Sequence, residues 1–61
     1  MRVTIKFHYN HGRPDTDGRT EVFEDVEATS MAFGFYAIRT DDQTWEHFDV
    51  DSIAWFKEER A

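Results

Sequence analysis

The feature that most narrows the fold of this 61-residue chain is a missing residue type: it contains no leucine. A helical core of this size relies on leucine, which combines high helix propensity with a shape that packs well. The branched aliphatic residues are Val3, Ile5, Val22, Val26, Ile38, Val50 and Ile53, all β-branched, and ten aromatics accompany them. Such side chains lose rotamer freedom in a helix and pack well on a pleated, half-buried surface. An all-β domain is therefore expected. One small domain spanning residues 1–61 is the natural reading of the length, near the limit at which a single core offsets chain entropy. With no cysteine, neither disulfides nor a thiolate zinc site can add to that core.

Periodicity sets the order of the strands. Val3, Ile5, Phe7 and Tyr9 alternate with Arg2, Thr4, Lys6, His8 and Asn10, which gives one core face and one solvated face. NHGRPDTDGR then contains Gly12, Pro14 and Gly18, and its Asp17-Gly18 pair supplies the positive φ of a tight reversal. From 20 to 29, TEVFEDVEAT alternates imperfectly, which predicts a bulge near Glu24 and Asp25 or a strongly bent strand. GFYAIRT (34–40) is the third strand and TWEHFDV (44–50) the fourth, joined by Asp41-Asp42-Gln43.

The end of the chain, FDVDSIAWFKEERA, has two parsings. In one, residues 49–52 form a helix-like turn and residues 53–57 a short fifth strand. In the other, Asp51 or Ser52 caps a C-terminal helix against a four-stranded antiparallel sheet. The strand is preferred because about nine residues are too few for a stable helix. As a strand it cannot turn both Trp55 and Phe56 inward, and Trp55 is the expected core residue because it shares the parity of Ile53.

The hairpin around Asp17-Gly18, the bent TEVFEDVEA, GFYAIRT and the ending FDVDSIAWF together resemble the Src-homology-3-like and Sm-like small barrels. That resemblance implies a five-stranded antiparallel barrel made from a bent meander, one helical turn and a closing strand. Neither the proline-recognising tyrosine motif of signalling Src-homology-3 domains nor the basic uridine-binding loop of Sm proteins is present. No ligand is therefore carried over from either family.

Seven basic and thirteen acidic residues give a net charge of −6, which disfavours a surface that follows phosphates. No apolar run approaches the roughly 18 residues of a membrane span, so a cytoplasmic protein is expected. His8, His11 and His47, with Asp15 or Asp17, lack a metal-ligand spacing. Asp15-Thr16-Asp17-Gly18 is only a fragment of a calcium loop. Ser30 and Ser52 lack a neighbouring base. No enzyme, metal or cofactor is expected.

The aromatics occupy both strand parities, more than one small interior can absorb. A non-enzymatic module is therefore expected, binding a protein partner or a second copy through an aromatic patch with an acidic rim. Tyr36, Trp45, Trp55 and Phe56 are its candidate anchors. The alternative is an oligomer that binds a nucleotide or single-stranded nucleic acid, with Arg13, Arg19 and Arg39 on phosphate and Tyr9, Tyr36 or Trp45 stacked on bases. A third reading is an inhibitor whose Asp41, Asp42, Glu46, Asp49 and Asp51 imitate nucleic-acid charge.

Overall fold

The computed structural model describes residues 1–9, 17–41 and 44–60. Among these residues the chain is all-β. Six strands, β1 (Arg2–Phe7), β2 (Thr20–Phe23), β3 (Ala28–Ala32), β4 (Phe35–Arg39), β5 (Trp45–Asp49) and β6 (Ile53–Glu59), form two antiparallel sheets of three. The sheet orders are β2-β1-β6 and β3-β4-β5. A single 3-10 turn, Val50–Ser52, precedes β6. The closed five-stranded barrel expected from the sequence is not what forms, and residues 53–59 are strand where the alternative reading had helix.

The sixth strand arises because the bent segment 20–29 breaks in two. Glu24 to Val26 lie outside both sheets before the Glu27 amide donates to Arg39 O of β4 at 2.8 Å, and Asp25 takes φ 57, a left-handed conformation that aspartate tolerates better than β-branched residues. The reversal passes the chain from one sheet to the other. Val26 and Met1 then exchange backbone hydrogen bonds of 2.8 Å in both directions, which fastens the break to the start of β1.

The two central strands face each other. Val3, Ile5 and Phe7 of β1 and Tyr36 and Ile38 of β4 are buried together with Val26. Phe48 packs against Phe7 at 5.6 Å and Phe23 at 5.7 Å, while Tyr36 stacks on Phe56 with ring centroids 4.4 Å apart. The Tyr36 hydroxyl donates to Glu58 Oε2 at 2.7 Å, so β4 is tied to β6 across the layers by both a ring and a hydrogen bond.

The start of β6 carries the second irregularity. Lys6 lies opposite Trp55, but Phe7 lies opposite Ile53, which leaves Ala54 as an extra residue in β6. A bulge of this kind inverts side-chain parity. Ile53 therefore faces the core beside Phe7, and Phe56, not Trp55, takes the next inward position opposite Ile5. Trp55 is 51% exposed, which corrects the expectation that it fills the core.

Beside the start of β6, where the His8 amide donates to Ser52 O at 2.8 Å, Gly18 has φ 80 and its amide donates to His8 O at 3.2 Å. A Cβ there would sit 3.4 Å from that of Tyr9, so glycine suits both the backbone and the space. The rest of the expected turn, with Gly12 and Pro14, lies outside the described residues.

Two outcomes follow. Asp25→Val should destabilise the fold by about 1–2 kcal/mol through its left-handed backbone, whereas Asp25→Asn should change it by less than about 0.5 kcal/mol, measured by urea unfolding. Burial, then the Glu58 carboxylate, raises the Tyr36 phenol well above its ordinary value. A raised folded-state value means that the stability linked to this proton is complete below about pH 10 and falls as pH rises beyond it. Tyr36→Phe should cost about 1–2 kcal/mol at neutral pH and flatten that alkaline decline.

Candidate functional site

The β3–β4 hairpin closes through Phe33-Gly34, with Ala32 paired to Phe35. Both turn residues have positive φ, 54 and 77, as a two-residue hairpin turn of the twist-matched type requires. Glycine accepts this freely, but phenylalanine pays about 1–2 kcal/mol for it. Phe33 is also 98% exposed. On either side of it Met31, Ala32, Gly34 and Phe35 are exposed as well, so five consecutive residues without a polar side chain meet solvent at the tip.

Beside this tip lies a groove of about 410 Å³ lined by Met31, Val50, Ile53, Ala54, Trp55 and Phe56. Met31 belongs to both features. The Val50 amide donates to Gly34 O at 3.0 Å, which fixes the groove against the hairpin turn. Both flanking strands, β3 and β6, are edges of their sheets, so each presents backbone groups on one side that no neighbouring strand pairs. Carboxylates bracket the groove along the chain: Asp49 and Asp51 on either side of Val50, and Glu58 and Glu59 beyond Phe56. Asp49 Oδ1 accepts from the Asp51 amide at 3.0 Å and so shapes the 3-10 turn that presents Val50. Ser52 Oγ donates to Asp49 O at 2.6 Å from a buried position.

The four anchors expected from the sequence do not form one patch. Trp55 and Phe56 line the groove, brought to it together by the bulge. Tyr36 is 2% exposed; it belongs to the interior, where it supports Phe56 from beneath. Trp45 lies on the outer face of the β3-β4-β5 sheet with the Arg39 guanidinium 5.5 Å from its ring centroid. There it borders a separate hollow with Ser30, Ala37 and His47.

Of the three arginines considered for phosphate, Arg19 and Arg39 are already engaged. Arg19 pairs with Glu21 at 2.8 Å and Asp17 at 3.2 Å while covering the Phe7 ring at 4.8 Å. The hydrogen bond to Glu21 leads in raising its pKa, and the Arg19 backbone amide leads in lowering that of Asp17. Arg39 lies 3.9 Å from Glu27, and its Nε is buried without a hydrogen-bond partner. Arg13 lies outside the described residues, as do His11, Asp15 and Asp42. His8 is exposed just after β1, whereas His47 sits on the other sheet, edge-on to Phe35 at 6.3 Å. Among the described residues no group of three or more metal-binding side chains converges, and no helix is long and apolar enough to cross a membrane.

Phe33 and Met31 are the surface residues that strand parity does not select. Their signal is local: an X-Gly pair centred between two five-residue strands, within the run MAFGF. Comparisons with protein families, with curated proteins and with solved structures find no match to this chain.

Proposed function

We propose that this chain is a non-enzymatic interaction module that binds a protein through the apolar tip and groove, with the surrounding carboxylates as its rim. One observation carries the reading: the exposed run 31–35 is continuous, through Met31, with the groove formed by β6. From their fractional exposures, Phe33, Trp55 and Phe56 alone leave roughly 370 Å² of side chain in water, at about 200 Å² per aromatic. Against the chain's 4380 Å² surface that approaches the roughly one tenth a small protein commits to a standard interface. An extended, apolar tip on a marginal domain is a liability unless something covers it.

The element order, with a strand divided between two sheets and a 3-10 turn before the last strand, supports reading the fold as a relative of the Src-homology-3-like and Sm-like barrels. Fold alone assigns no ligand. The pairing of Arg19 and Arg39 with carboxylates supports placing nucleic-acid binding second.

The test is recovery of the protein from its native cell under mild conditions. Wild type should emerge in a stoichiometric complex, with another chain or with itself. Met31→Ser combined with Trp55→Ser should release it while shifting unfolding stability by no more than about 1 kcal/mol, as expected for exposed positions. A wild-type chain that is recovered alone, as a monomer, overturns the reading.

A further inference from the structure

Resting on that reading, we propose that the groove's occupant is the Phe33 tip of a second copy, exchanged reciprocally in a two-fold dimer. Knob and hole lie side by side on one surface: Gly34 O, next to Phe33, accepts the Val50 amide from the groove wall, and Met31 is common to both. Phe33 does not fill its own groove, since it is 98% exposed. A two-fold axis near Met31 places each Phe33 over the other copy's Ala54, Trp55 and Phe56, the self-complementary arrangement that closes a dimer. Space is sufficient, because a cavity of about 150 Å³ already accepts benzene and the groove measures about 410 Å³.

Area and charge both fit this occupant. Two copies bring together roughly 750 Å² of aromatic side chain, and Met31, Ala32, Val50, Ala54 and the tip backbone carry the total towards the roughly 1,200 Å² of a stable interface. Each copy carries a net charge of −6, so most faces would repel their twin. The β3–β4 hairpin is the exception: residues 28–38 include no charged side chain. Two hairpins can therefore meet without juxtaposing like charges.

Sedimentation equilibrium of the purified full chain, from about 1 μM to about 1 mM, tests the exchange. Wild type should show a monomer–dimer equilibrium that tightens with added salt, as screening reduces repulsion between like-charged copies. Docking driven by opposite charge would weaken instead. Phe33→Asn, which suits the left-handed turn, should weaken the dimer roughly 30-fold or more while the monomer unfolds at an equal or higher temperature. In a Trp45→Phe background, where Trp55 is the one remaining tryptophan, emission should shift to the blue as the chain dimerises and stay fixed when Phe33→Asn is added.

A purified wild type that remains monomeric at the highest concentration overturns the exchange. If its native complex with another chain persists, the interaction module stands with a different occupant. A dimer that survives Phe33→Asn but is lost with Trp55→Ser also overturns the knob while keeping the groove. A dimer indifferent to both changes overturns both.

Discussion

Tyr36 is the contact on which the two layers depend. Its sheet and that of β6 share no strand, so away from the backbone bonds at their margins, Val26–Met1 and Val50–Gly34, the layers are held by side chains, and Tyr36 supplies both a ring contact and a hydrogen bond at one place. Its ring lies on Phe56 and its hydroxyl is held by Glu58. The phenol end needs a partner once buried, and Glu58 provides one without itself leaving solvent. A domain of this length has roughly 3–9 kcal/mol of net stability, while truncating a buried isoleucine costs about 2–5 kcal/mol. The few residues between β1 and β4 therefore have little redundancy. The same stack supports the groove floor, so core integrity and surface shape are set by one pair of rings.

Two departures from regular strand geometry decide which side chains reach the surface. The reversal at Asp25 releases β3 from the first sheet and makes it an edge, with Met31 free to line a groove. The extra Ala54 rotates the end of the chain so that Phe56 turns towards Ile5 and Trp55 towards Lys6. Without that bulge, Trp55 would continue the inward parity of Ile53, and the groove wall would lose its largest side chain. Bulges commonly mark where a strand re-aims a side chain for use. Here the bulge sits at the junction of core and patch.

Much of the fold was legible where one physical signal acted alone. The alternation of Val3, Ile5 and Phe7 gave β1 its faces, the β-branched composition gave the all-β class, and Asp49-Val50-Asp51-Ser52 gave the turn before β6. The irregular TEVFEDVEAT pattern located the break at Glu24 and Asp25 but not its consequence, because whether a bend divides a strand between sheets depends on partners distant in sequence. The site was less legible for the same reason. Tyr36 and Phe48 share a parity and both lie inward, yet Trp55 reads as inward only until a register shift against Lys6 and Phe7 inserts Ala54. Phe33 counts among the surplus aromatics but is not singled out as an anchor, because its position at the centre of a turn is visible only once Ala32 is paired with Phe35.

The turn at Phe33-Gly34 is a site of local frustration. Elsewhere in β4 and the turn, Phe35, Tyr36 and Ile38 suit the extended backbone and glycine stands where φ is 77. At Phe33 the local preference and the adopted conformation conflict, and asparagine would satisfy the same φ with less strain and better hydration. A folding funnel gains nothing from that choice. Local conflicts of this kind are commonly retained at functional sites, so under the proposed exchange the residue least suited to the isolated chain would be judged by the contacts it makes in a second copy.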